Sequence, residues 1–148
     1  MKQNVLVIGA GLSGLVTAKT LLEYGYGVTV FEKEPEIGGV WAPGRRYPGL
    51  TTQNPRDTYA FSDFRMPQEY PEFPSGEQML AYLKAYATTF HINPVIRLSH
   101  TVENASIESD GNEHRWTIRG NAGGTPFQEQ GDFLVVCNGT FSEPAIPH

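Results

Sequence analysis

NVLVIGAGLSGLVTAKTLLEYGYGVTVFE, residues 4–32, reads in order as an apolar strand, a glycine turn, an amphipathic helix, a second strand and a terminal acid. Residues 5–8 form an unbroken apolar run, the pattern of a parallel strand covered on both faces. Gly9 permits a tight turn off that strand. Gly11 has no Cβ and lets a pyrophosphate approach the backbone, and Gly14 lets the next helix pack closely on the sheet. Ser13 belongs to the same turn. The first N–H groups of a helix lack intrahelical partners and sit at the positive end of its dipole. That placement favours an anion by about 0.3–1 kcal/mol, or about 2 kcal/mol when partly buried. Leu15, Ala18 and Leu22 recur at helical spacing, Gly25 stands where a C-terminal cap is wanted, and residues 28–31 are β-branched and aromatic. Glu32 closes the second strand, where its carboxylate can accept both hydroxyl protons of an adenosine ribose and would repel a 2′-phosphate. The unit predicts an adenine dinucleotide site. It does not separate FAD from NAD, because both present the same ADP moiety.

The chain has 148 residues, room for one domain with a real core but not for two. A net charge of −5 and a pI near 5.3 offer no basic face to nucleic acid or to anionic lipid, so neither is expected as a partner. The apolar stretch 5–16 is as long as a short signal-peptide core. Its glycines fall at turn positions and no small-residue cleavage site follows, so a cytoplasmic protein is expected. The single cysteine, Cys137, excludes an internal disulfide and lies beside the apolar run 133–136, which predicts a small buried hydrophobe. His91, His100, His114 and His148 lack metal-ligand spacing; solvated or loop positions, and no metal, are expected.

Seven of the eleven prolines (Pro35, Pro43, Pro48, Pro55, Pro67, Pro71 and Pro74) fall in one segment without sustained period. Loops this long inside a domain are usually functional or disordered, and the aromatics Trp41, Tyr47, Tyr59, Phe61, Phe64, Tyr70 and Phe73 argue for packing. The segment is expected to wall a ligand. Ser75 with Gln78 three residues on is a capping-box pattern, and Met79, Leu83, Tyr86 and Phe90 mark one apolar helix face. Residues 95–98, 101–108, 115–119 and 125–128, separated by Asp110-Gly111 and by residues 120–124, predict an antiparallel meander. Residues 133–137 read as another buried parallel strand, with a phosphate- or flavin-proximal turn at Asn138-Gly139-Thr140. The chain then leaves through Pro144 and Pro147.

Six motifs follow one another: the glycine turn 9–14, Glu32-Lys33, Gly38-Gly39-Val40-Trp41, Tyr47-Pro48-Gly49, Phe61-Ser62-Asp63 and Cys137-Asn138-Gly139-Thr140. In this order they resemble the flavin-dependent monooxygenases of the flavin-containing and Baeyer–Villiger types, across most of the chain. The resemblance implies an α/β, Rossmann-like FAD-binding domain, residues 1–148, with a parallel sheet, helices and a β-meander. It implies that the first turn holds FAD, that Gly39, Val40 and Trp41 approach the pyrophosphate or ribityl chain, and that Val102 offers its backbone to the adenine. Lys33, Asn138 and Gly139 join the cofactor-binding set. Thr51, Thr52 and Gln53 fall where the family's loop passes the flavin ring. There the sequence departs, since the flavin-containing branch carries Asn and the Baeyer–Villiger branch Asp where Gln53 stands. Arg45, Arg46 and Arg56 are candidates to guide a phosphate or a substrate anion, but loop arginines are more often solvated or paired with nearby carboxylates, and that is the expectation here.

The aromatic-glycine-histidine linker, the second glycine turn for NADPH and the late Gly-Asp element of those enzymes do not occur. The expectation is an amino-terminal portion of a larger enzyme, its sheet incomplete at the carboxyl end, that binds FAD but does not run an NAD(P)H- and O2-dependent reaction alone. NADPH is expected only with a full-length enzyme, and no catalytic residue is assigned. Two other readings stay open: another two-dinucleotide flavoprotein oxidoreductase, or a non-catalytic FAD- or NAD-binding module. An incomplete sheet exposes apolar surface and a strand edge, which predicts self-association.

Overall fold

Alternation along β1 (Asn4–Ile8) sorts the molecule into layers. Val5 and Val7 enter one core with Leu15, Ala18, Met79, Leu83 and Tyr86, while Leu6 points the other way to Phe31 and Ile118. The structure, a computed structural model, describes residues 2–110 and 113–141. A four-stranded parallel sheet runs in the order β3-β2-β1-β7, with β2 at Gly27–Phe31, β3 at Ile96–Arg97 and β7 at Phe133–Val136. Helix α1 (Leu12–Glu23) returns the chain from β1 to β2 and buries Gly14, Leu15 and Ala18. Each large apolar side chain so buried contributes about 1.5–3 kcal/mol, far more than the propensity of one helical residue.

The proline-rich segment is ordered by its aromatics. It contains a 3-10 turn at Gly39–Trp41 and one short helix, α2 (Arg56–Tyr59). Phe61 lies 4.4 Å from Tyr86 and Phe64 lies 5.4 Å from Tyr82, ring centre to ring centre. The Tyr82 hydroxyl accepts from the Phe61 N–H at 2.8 Å and donates to the Phe64 carbonyl. Lys19 of α1 bonds Asp63 at 2.8 Å and Glu23 at 2.7 Å, and these bonds, Asp63 first, hold its ammonium well above the usual lysine range. Helix α3 (Gly76–Thr89) starts in the expected capping box: Ser75 accepts from the Gln78 N–H at 3.3 Å and Gln78 accepts from the Ser75 N–H at 2.9 Å.

The meander β4 (His100–Asp110), β5 (Glu113–Ala122) and β6 (Thr125–Gly131) covers the opposite face of the sheet through Ile118, Val102 and Phe127. Several expectations are corrected. The run at 95–98 does not open the meander: Ile96 and Arg97 pair in parallel with Val30 and Phe31. Gly120 is no turn residue but pairs with Val102 and Phe127 inside the sheet, and the chain reverses at Gly123-Gly124, both at positive φ. β7 pairs with β1 as a parallel strand should, yet it is the last strand of its sheet, and Phe133 and Val136 are 46% and 60% exposed. Cys137 is half-buried, not fully buried, its Sγ 3.9 Å from Thr17 Oγ1. Gly111, His148, Pro144 and Pro147 lie outside the described residues.

Candidate functional site

The chain leaves β1 for β2 and β3 on one side and returns to β7 on the other, so the sheet order reverses at the carboxyl end of β1. Open α/β sheets bind ligands at such a switch point. A cavity of about 460 Å3 opens there, within the range of nucleotide and cofactor sites.

The glycine turn forms its floor, and the three glycines act differently. Gly9 has φ +100, and a Cβ on it would lie 2.4 Å from the Cys137 carbonyl oxygen. A Cβ on Gly14 would lie 1.8 Å from the Gly9 carbonyl oxygen, so helix and turn approach closer than any side chain allows. Gly11 is free of that crowding: its Cβ would meet only Gly39, with the Gly39 Cα at 3.6 Å. Two bare backbones thus lie against each other in the cavity lining, with Ser13 and Leu12 beside Gly11 and Val40 beside Gly39. Among the described residues no side chain caps the start of α1, which leaves its first N–H groups for a ligand or solvent.

Glu32 forms the adjoining wall. It is 6% exposed, and the two carboxylate oxygens accept from the Ala10 N–H at 2.7 Å and the Glu34 N–H at 2.9 Å. A carboxylate has about four acceptor sites, so two remain for a vicinal diol. Its backbone is gripped as well: the Glu32 N–H donates to Arg97 and its carbonyl accepts from His100. Lys33 and Glu34 continue this wall, and Arg45 enters from the proline-rich segment, 3.9 Å from Glu34 and donating to the Phe141 carbonyl. Phe31, His100, Thr101, Val102 and residues 137–141 complete the lining.

Of the residues singled out in the sequence, Gly9, Gly11, Ser13, Glu32, Lys33, Gly39, Val40, Val102, Asn138 and Gly139 line this one cavity. Gly14 lies beneath it. Trp41 is off its wall: 4% exposed, it meets Tyr59 edge-on at 5.9 Å within the core. Thr52, 3% exposed, donates its N–H to Pro74 and its hydroxyl to Asn54, while Gln53 is exposed; neither lines the cavity. Arg46 pairs with Glu77 at 3.2 Å and Arg56 with Asp57 at 3.4 Å, outside the cavity, whereas Arg45 is within it. His100, expected in solvent or a loop, begins β4 with its ring 5.1 Å from Phe127 and 6.2 Å from Phe31. No local pattern marks it, since β4 reaches β2 only through the tertiary fold.

The model of the flavin-binding monooxygenase-like family matches residues 2–148. The 4-hydroxybenzoate brominase (decarboxylating) of Marinomonas mediterranea is 35% identical over 99% of the chain, and flavin-containing monooxygenase FMO GS-OX3 of Arabidopsis thaliana is 32% identical over 99%. The chain spans 28% and 37% of their respective lengths. Among solved structures, S-allyl-L-cysteine S-oxygenase from Allium sativum superposes with a TM-score of 0.86 at 28% identity, covering 100% of this chain and 39% of that one. An oxidized steroid monooxygenase bound to NADP gives 0.85 at 30% identity, covering 100% and 28%. Glycine turn, buried acid and whole-chain match agree: the chain belongs to the flavin-binding monooxygenase-like family.

Proposed function

We propose that this chain is the FAD-binding domain of an NAD(P)H- and O2-dependent flavin monooxygenase, and that its own task is to hold the cofactor. The observation that carries the reading is the cavity at the switch point, with bare backbone at Gly11 and Gly39 and the Glu32 carboxylate in its wall. The fit to FAD is chemical. Gly9, Gly11, Ser13 and Gly14 set the turn that takes the pyrophosphate against the α1 N-terminus, with Lys33 a nearby positive charge. Glu32 takes the adenosine ribose through its two remaining acceptor sites. Val102 offers backbone to the adenine. Gly39 and Val40 meet the pyrophosphate or ribityl chain, Trp41 fixes that turn from the core, and Asn138 and Gly139 flank the same cavity. Thr52 and Gln53 are assigned to the flavin end. Bound FAD supplies hydride acceptance and reaction with O2. The nicotinamide site is assigned to no residue of this chain, and monooxygenation is not expected of it alone. The acidic charge, with no helix among the described residues long and apolar enough to cross a membrane, supports a cytoplasmic protein without nucleic-acid partners.

Calorimetric titration tests the reading. FAD and ADP are expected to bind competitively and FMN far more weakly, since the cavity residues with the strongest chemistry, Glu32 and the glycine turn, grip the ADP half. NAD bound tightly with FAD excluded would contradict it.

A further inference from the structure

No other asparagine in the sequence precedes a glycine, and the Asn138-Gly139 pair stands on the cavity rim directly after β7. Asn138, Gly139 and Thr140 are exposed and outside regular structure. Among the described residues the Asn138 carboxamide makes no hydrogen bond, and the Gly139 N–H donates to no backbone carbonyl. Gly139 has φ +74, and among the described residues no heavy atom lies within 4 Å of where its Cβ would be. Gly139 thus has no side chain of its own to crowd the reaction, and among the described residues neither the Asn138 carboxamide nor the Gly139 N–H is held in a hydrogen bond that ring closure would have to break.

We propose that Asn138 is a spontaneous deamidation site whose reaction lowers the affinity of the neighbouring cavity for a dinucleotide. The Gly139 amide gives up its proton and its nitrogen bonds to Asn138 Cγ. The Cγ–Nδ2 bond breaks and ammonia leaves with the returned proton, closing a five-membered succinimide. Water then adds to one of the two ring carbonyls and opens the ring. If the backbone C–N bond survives the product is aspartate; if the chain continues through Cγ it is isoaspartate. One water is consumed, one ammonia is released, and nothing is oxidised or reduced. The first step needs the deprotonated amide, so the rate rises with pH.

Both products alter the same wall. Each puts a carboxylate in the lining of a cavity that already holds Glu32 and Glu34 and would take an anionic pyrophosphate. The isoaspartate also lengthens the backbone next to the glycine turn, since the Asn138 Cα lies 3.5 Å and the Cys137 oxygen 2.4 Å from a Cβ position on Gly9. The loss of affinity rests on the cavity being the FAD site; the deamidation itself does not.

The test is to age the purified chain at mildly alkaline pH and follow it by peptide mass mapping and ammonia release. Expected is the small mass gain of amide turning to acid, confined to the peptide carrying residue 138 and matched by ammonia. Mapping by mass matters, because Asp110-Gly111 can form an isoaspartyl link with no mass change. Gly139→Ala should slow the gain by about tenfold or more, since a Cβ hinders ring closure and disfavours the positive φ, and Asn138→Gln should abolish it at that peptide. Saturating FAD should slow it in the wild-type chain. The acidic fraction, separated by ion exchange, and Asn138→Asp should each bind FAD about tenfold more weakly than unaged protein, by charge repulsion in a partly enclosed site. If the folded chain gains no mass there while the same chain in denaturant does, or another asparagine reacts first, the site assignment is overturned. Equal FAD affinity before and after ageing overturns the functional consequence. Failure of unaged protein to bind FAD would instead count against the cofactor reading and leave the mass result standing.

Discussion

Glu32 has two jobs, and the first is visible in its bonds. Its oxygens take the N–H groups of Ala10 and Glu34, so the acid that faces the cavity also fixes the turn entering α1. Glu32→Gln leaves one oxygen for two donors. An orphaned buried N–H costs about 1–3 kcal/mol, and denaturant unfolding should show a loss of that size, accompanied by FAD binding weakened about tenfold or more. Unchanged stability would show that the carboxylate does not hold the turn. Tyr86 makes the converse case. Its ring is fully buried, and its hydroxyl has no hydrogen-bond partner among the described residues, so Tyr86→Phe should stabilise the chain by about 1 kcal/mol. Burial pushes that phenol up to about 12. The unfolded chain releases the proton near 10, so the stabilising difference is intact below pH 10 and drains away as pH rises towards 12. Thermal unfolding across that window should fall more steeply in the wild type than in Tyr86→Phe, and parallel curves would contradict the assignment. The glycines and Glu32 were legible in the sequence because each sits at a fixed offset within one local unit. His100 was not, because it enters the cavity from β4, which reaches β2 only through the tertiary fold.

At the scale of elements, legibility followed the range of the interactions. β1, α1, β2 and the capped start of α3 are local, and their periodicity and punctuation stand in the chain as written. β3 is only Ile96–Arg97, and nothing within it says that its neighbour is β2 rather than the strand that follows. The same reasoning covers Gly120: a glycine cluster signals a reversal, but which glycine turns depends on the register with β4 and β6. The capping box gives a direct test. Ser75→Ala removes the acceptor for the Gln78 N–H and should cost about 0.5–2 kcal/mol in urea unfolding, while FAD affinity holds because α3 does not line the cavity. A matching drop in affinity would mean that α3 shapes the site after all.

For the whole molecule, the consequential feature is the free side of β7. Among the described residues that strand pairs only with β1, and Phe133 and Val136 stand open beside it. Exposed strand edges with apolar neighbours associate, and the account predicts concentration-dependent dimers or larger species in sedimentation. Val136→Lys should shift the distribution towards monomer, and a wild type that is monomeric throughout would contradict this. The central claim is that bare backbone at Gly11 makes the cofactor cradle. Gly11 has an ordinary φ of −82 and room for a Cβ, so Gly11→Val can fold while its methyl groups fill the space facing Gly39. The decisive measurement is the visible spectrum of the purified chain after loading with FAD, beside that of Gly11→Val with its fold checked by circular dichroism. The account predicts bound flavin in the wild type and none in the folded variant; a colourless wild type, or equal flavin in both, would contradict it.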